Sequence, residues 1–141
     1  MASPSQNFPK KALVTGASGF IGSTLVAQLN SQGVKVRALL RKTSPTGNLK
    51  GLDYERAEGE LSDLASLARA VDGVDLVFHL AGVVAAADRE TFFRHNAEGT
   101  ANLARAAAEA ENPPRRFVRE LRQCLLAARG RRDAVTLGRE I

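Results

Sequence analysis

The stretch Thr15-Gly16-Ala17-Ser18-Gly19-Phe20-Ile21-Gly22 (TGASGFIG) lies between two segments of different periodicity, and that placement decides the fold. Before it, Lys10 to Thr15 (KKALVT) is a short apolar run, the pattern of a buried parallel strand. After it, Phe20 to Gln32 places apolar residues at Ile21, Leu25, Val26 and Leu29, which is helical spacing, and Gly33 is a natural stop. In a strand–turn–helix setting each glycine has a task. Gly16 permits the tight turn off the strand, Gly19 lets backbone N–H groups approach a phosphate, and Gly22 lets the helix lie close to the strand. The helix N-terminus then offers unpaired N–H groups and a positive dipole end to an anion. An isolated glycine turn can be no more than a tight connection. The strand before this one and the helix after it favour a nucleotide pyrophosphate site.

Outward from the turn, strands and helices alternate. Val34 to Leu40 (VKVRALL) reads as a second strand, closed by turn residues from Arg41 to Gly47 that include Ser44-Pro45. Tyr54 to Ala57 is a weak third strand. Ser62 can cap a helix from about Asp63 to Val71, which Asp72-Gly73 ends. Asp75 to Leu80 (DLVFHL) is a fourth strand. Arg89 to Glu111 is an alanine-rich helix with apolar positions at Phe92, Phe93, Leu103, Ala104 and Ala107, stopped by Pro113-Pro114. A fifth strand begins at Arg116 to Val118. This order predicts an α/β Rossmann-type doubly wound parallel sheet, strand order 3-2-1-4-5, with helices on both faces.

The bulk properties exclude several classes. A chain of 141 residues has room for one domain. The net charge of +5 is local: residues 1–114 carry 12 Lys/Arg against 12 Asp/Glu, and residues 115–141 carry 8 Arg against 3 acids. A single cysteine, Cys124, excludes an internal disulfide framework and suits a reducing compartment. Met1 to Pro9 reads as a polar, flexible N-terminus without the apolar core of a secretory signal. Val74 to Ala87, the most apolar stretch, contains Asp75 and His79 and is too short to span a bilayer. A cytoplasmic location is therefore expected, with no membrane and no nucleic-acid partner. His79 and His95 lie on different elements without a ligand-spaced carboxylate or cysteine, so no metal site is expected.

TGASGFIG resembles the TGxxGxxG signature of extended short-chain dehydrogenases/reductases, the NAD-dependent epimerase/dehydratase type. Gly59-Glu60-Leu61-Ser62-Asp63 is similar to that family's GDLxD segment, His79-Leu80-Ala81-Gly82 to its HxAG stretch, and Asn96-Ala97-Glu98-Gly99-Thr100 with Leu103 to its NxxGTxxL helix. These motifs, in family order, span about residues 10 to 118. The resemblance implies cofactor-binding roles for Gly16, Ser18, Gly19, Phe20, Ile21, Gly22, Glu60, Leu61, Leu80, Ala81 and Gly82. Glu60 departs from the usual Asp, yet its carboxylate can still reach the adenine amino group, with Leu61 on the adenine face. His79 is expected to pack beside the nicotinamide ribose region.

Charge bears on the choice of dinucleotide. NAD sites of this fold place an acid at the end of the second strand to hold the ribose hydroxyls. Here Leu40 stands at that position, followed by Arg41 and Lys42. A carboxylate would repel a 2′-phosphate, whereas a guanidinium binds it bidentately. Arg41 is therefore the expected phosphate reader and NADP is favoured over NAD. The alternative is that both are solvated turn charges.

The family's proton-transfer chemistry uses a Tyr in a YxxxK motif, with the Lys tuning the tyrosine. This sequence has one tyrosine, Tyr54, and no lysine after Lys50, so no catalytic residue is assigned. Asn96 matches a position that supports the proton relay and is read as structural. From Arg119 the resemblance stops, and 119–141 is a divergent basic tail rich in Arg, Ala, Leu and Gly. It reads as a gene segment out of frame or as a basic arm, with a short amphipathic helix from Glu120 to Ala128 under either reading. The function expected is an NAD(P)-binding domain without the catalytic half. The alternatives are a non-catalytic nucleotide-sensing or partner-binding module, and an inactive truncated or frameshifted product. An uncovered sheet edge would favour self-association.

Overall fold

A computed structural model describes residues 9–81 and 88–119 of the chain. Within them, five strands form one parallel sheet: β1 (Lys11–Thr15), β2 (Lys35–Leu40), β3 (Glu55–Glu58), β4 (Leu76–His79) and β5 (Arg116–Arg119). The order across the sheet is β3-β2-β1-β4-β5, as predicted. Three helices connect them: α1 (Phe20–Ser31), α2 (Leu64–Val71) and α3 (Arg89–Glu109). Between β2 and β3 the connection carries only a 3₁₀ turn, Gly47–Leu49. The Met1 to Phe8 part of the N-terminus, Gly82, and the tail beyond Arg119 with its expected helix lie outside the described residues.

β1 is central, and Ala12, Leu13, Val14 and Thr15 are all fully buried. Because strand side chains alternate, Ala12 and Val14 face one layer and Leu13 the other. The first layer joins Ala12 and Val14 to Val26 and Leu29 of α1 and to Val36, Ala38 and Leu40 of β2. The second joins Leu13 and Val77 to Leu67 and Val71 of α2 and to Leu103 and Ala107 of α3. α1 thus covers one face of the sheet, and α2 and α3 cover the other. Each fully buried leucine contributes roughly 1.5–3 kcal/mol relative to exposure.

Two sequence expectations shift. The cap of α2 is Asp63, not Ser62: its Oδ1 accepts from the N–H groups of Ala65 and Ser66 at 3.1 and 3.3 Å. Serine and aspartate cap equally well, so sequence alone does not separate neighbouring candidates. In α3 the buried positions are Gly99, Leu103, Ala106 and Ala107, whereas Phe93 and Ala104 are exposed. A helix of this length runs about 31 Å and a four-residue strand about 13 Å. The first half of α3 therefore overhangs the sheet.

Arg37 on β2 anchors the far end of α2. Its guanidinium donates to the carbonyls of Arg69, Ala70 and Asp72 at 3.3, 2.8 and 2.6 Å, where helix carbonyls lack internal partners. It also bonds Glu55 at 3.1 Å, and Lys11 bonds the same carboxylate. The Lys11 hydrogen bond, with the nearby Arg37 charge, holds the Glu55 carboxyl below the usual carboxylate range against the opposing effect of partial burial.

Candidate dinucleotide cleft

The chain leaves β1 at Gly16, whose φ of +70° lies in the left-handed region that favours glycine. A Cβ here would also stand 2.7 Å from Ala81 N and 2.8 Å from Leu80 C, because the end of β4 crosses directly against the turn. Gly22 is the second close approach: its Cβ would lie 2.0 Å from Gly16 O. α1 can therefore start against β1 only with glycine at 22. Gly19 differs. Its φ of −74° is ordinary, and a Cβ would meet only Gly16 O, at 3.4 Å. Nothing among the described residues demands a glycine there.

α1 begins at the mouth of this turn with no side-chain cap and no acid in its first turn. The other two helices are both capped, α2 by Asp63 and α3 by Asp88. Among the described residues, the N–H groups of Phe20, Ile21 and Gly22 have no hydrogen-bond acceptor. Phe20, 82% exposed, stands at the opening. Asn48, on the 3₁₀ turn, donates to Ser18 O at 3.0 Å and ties the glycine turn to the β2–β3 connection.

These elements border a cleft of about 810 Å³ at the carboxyl ends of the strands. One wall is the glycine turn, with Gly16, Ser18, Gly19, Phe20, Ile21 and Gly22. Arg41 lines one end, Glu60 and Leu61 the next wall, and Leu80 and Ala81 the floor. Every described residue of the predicted binding set lines this one cleft; Gly82 is outside the described residues. The sequence reading missed Thr15, Leu39, Ser44, Gly59 and Ser62, and, on α3, His95, Glu98, Gly99 and Asn102. Asn96, read as structural, is also on the wall.

The walls are tied together by side chains. Glu60 N–H donates to Ser66 Oγ at 3.1 Å, and Ser66 Oγ in turn donates to the Glu60 and Asp63 carbonyls. Asn102 Nδ2 donates to Leu61 O at 2.9 Å, which fixes Leu61 against α3. Below the floor, His79 is 2% exposed and does not itself line the cleft, whereas its hydrogen-bond partner Thr15 does. Its Nδ1 meets Thr15 Oγ1 at 2.7 Å and its Nε2 meets Thr100 Oγ1 at 3.0 Å. Thr15 Oγ1 also accepts from Ala81 N–H at 3.1 Å. Among the described residues no cluster of three or more His, Cys, Asp or Glu is placed to hold a metal, and no helix is long and apolar enough to cross a membrane.

A 3-2-1-4-5 parallel sheet with a glycine-rich turn between β1 and α1 defines a Rossmann-type nucleotide-binding domain. The chain belongs to the NAD dependent epimerase/dehydratase family, whose pattern matches residues 12–119. It is 42% identical over 100 residues to sterol demethylase protein B of Methylococcus capsulatus, covering 70% of this chain and 30% of that protein. It is 38% identical over 99 residues to a putative dihydroflavonol 4-reductase of Synechocystis sp., covering 69% of this chain and 29% of the other. Among solved structures it resembles a short-chain dehydrogenase/reductase superfamily protein of Agrobacterium tumefaciens with bound NAD. The TM-score is 0.63 at 40% identity, covering 77% of this chain and 31% of that one. The chain thus spans about 30% of the length of the curated relatives it matches.

Proposed function

We propose that residues 10–118 bind a nicotinamide dinucleotide in the cleft, with NADP preferred over NAD. The observation that carries this reading is Gly19. The described residues leave room for a side chain there, which suits a glycine kept for a ligand lying over the turn. Three N–H groups at the start of α1, unpartnered among the described residues, border the same cleft, a donor set suited to a pyrophosphate. The cleft volume lies within the about 300–1,000 Å³ usual for small-molecule sites.

The residues divide the ligand between them. Gly16, Ser18, Gly19, Phe20, Ile21 and Gly22 would hold the phosphates, Glu60 and Leu61 the adenine, and Leu80, Ala81 and Gly82 the nicotinamide side. Arg41 would take the 2′-phosphate. It lines the cleft, is exposed, and its guanidinium makes no hydrogen bond to any described residue. When bound, the nicotinamide would supply hydride transfer. The Tyr-x-x-x-Lys pair that would accompany it is not in this sequence, and Tyr54 packs into the α1-side core away from the cleft. The proposal is therefore cofactor binding without turnover by these 141 residues.

Titration of the protein with NADPH and NADH, following nicotinamide fluorescence, tests it. NADPH should bind more tightly, and Arg41→Ala should weaken NADPH by about 10- to 100-fold, the range of a charge-assisted hydrogen-bond pair, with NADH unchanged. A folded, monodisperse sample that binds neither nucleotide would leave the fold without the function. Equal affinity for both would remove the NADP preference alone.

A further inference from the structure

Ser44 is one of the cleft residues that no sequence motif pointed to. Its Oγ accepts the Arg41 N–H at 2.9 Å, and its own N–H donates back to Arg41 O at 3.0 Å. The same carbonyl receives Arg56 Nη2 from β3 at 3.0 Å. Both polar groups of the Arg41 backbone are therefore fixed, while its guanidinium makes no hydrogen bond among the described residues. At the far side of the loop, Leu49 is buried in the core and Asn48 is bonded to Ser18 O. The loop is anchored at three places, and the anchoring was done without using the Ser44 hydroxyl proton. That O–H has no acceptor among the described residues.

We infer that Ser44 is a second reader of a phosphate monoester at the 2′ position of adenosine, acting beside Arg41. The inference rests on the proposed NADP reading. Arg41 brings charge and two parallel donors; Ser44 brings one donor whose oxygen is already positioned by the Arg41 N–H. A phosphate dianion accepts several hydrogen bonds at once, so the two donors do not compete. A ribose 2′-hydroxyl gains little from a neutral serine in water, so the contact acts on the choice between the two dinucleotides. Because the turn is held before the ligand arrives, little ordering is needed on binding.

The test uses adenosine 2′,5′-bisphosphate and adenosine 5′-monophosphate, which differ only in the 2′-phosphate, titrated calorimetrically into the full chain. Ser44→Ala should weaken the bisphosphate about tenfold, the loss of one hydrogen bond to a charged group, and leave the monophosphate unchanged. Ser44→Thr retains the hydroxyl and should restore the bisphosphate. Ser44→Asp retains an acceptor for the Arg41 N–H but repels the phosphate, so it should lose bisphosphate binding while still binding the monophosphate. If Ser44→Ala weakens both ligands equally, or neither, while Arg41→Ala still abolishes the difference between them, the role of Ser44 is overturned and the NADP reading stands. If the unmodified chain does not distinguish the two ligands, or binds neither, both ideas fall together.

Discussion

Thr15 and His79 sit opposite each other across β1 and β4, paired in register, and their side chains share a 2.7 Å hydrogen bond out of reach of solvent. Both ring nitrogens of His79 have a threonine hydroxyl within hydrogen-bond distance. Thr100 Oγ1 donates to Asn96 O at 2.7 Å and also lies 3.0 Å from His79 Nε2. Thr15 Oγ1 in turn receives Ala81 N–H, so the imidazole holds together the glycine turn, the cleft floor and α3.

Replacing His79 with leucine keeps bulk but removes the ring partners of the Thr15 and Thr100 hydroxyls. The expected loss is about 2–3 kcal/mol in a urea unfolding experiment, together with weaker binding of both dinucleotides. His79→Gln offers a donor and an acceptor and should lose less. A leucine variant as stable as the parent would show that the chain of bonds contributes nothing net.

The three glycines of the turn should respond unequally to alanine. Gly22→Ala places a methyl 2.0 Å from Gly16 O, a backbone atom that cannot yield, so α1 must move off β1. A destabilisation of about 3 kcal/mol or more is expected, at or beyond the usual overpacking range. Gly19→Ala meets nothing closer than 3.4 Å and should fold normally, yet its methyl would occupy the space given to the phosphates. The pair is informative by contrast: thermal melting should single out Gly22, and dinucleotide titration should single out Gly19. Normal dinucleotide binding by Gly19→Ala would remove the main support for the proposed site.

What the sequence made legible was local. The turn declared itself because Gly16, Gly19 and Gly22 are spaced by the demands of one strand–helix junction, and β1 because its apolar run has no room for another reading. The cap of α2 was ambiguous because Ser62 and Asp63 offer the same chemistry one residue apart. The α3 wall was mostly illegible, since His95 and Glu98 reach the cleft only because the first half of α3 runs past the sheet, and Asn102 follows one turn on. Ser44 carried a signal, its place in a Ser-Pro turn, but nothing local says that the turn borders a cleft.

Asp88 gives a prediction in pH. Its Oδ1 accepts Thr91 N–H at 2.7 Å and its Oδ2 accepts the Thr91 hydroxyl at 2.9 Å. The backbone bond from Thr91, then the hydroxyl bond, lower its carboxyl from the ordinary aspartate range. A group with a depressed folded value contributes stability that is complete above the ordinary range and is lost as pH falls through the lowered value. The first turn of α3 should therefore fray in acid, read as rising amide exchange at residues 91–93. Asp88→Asn keeps a good cap without the charge and should flatten that response. The same acid slope in both proteins would assign the fraying to other groups.

Gly99 offers a way to separate the adenine side of the cleft from the phosphate side. It is buried in α3, and a Cβ there would stand 3.0 Å from Leu61 Cδ1 and 3.1 Å from Leu61 Cβ. Alanine gains about 1 kcal/mol of helix propensity over glycine, and overpacking typically costs about 1–3 kcal/mol. Leu61 is half-buried and borders the cleft, so it can relieve the contact by swinging into that space. The two effects on stability then nearly cancel, while the surface offered to the adenine is displaced. Gly99→Ala should accordingly melt within a few degrees of the parent yet bind NADPH and NADH more weakly by the same factor. Arg41→Ala should do the opposite, changing the ratio and sparing NADH. A Gly99→Ala protein that lost NADPH alone would mean that Leu61 does not border the adenine, and the orientation of the dinucleotide in the cleft would have to be reversed.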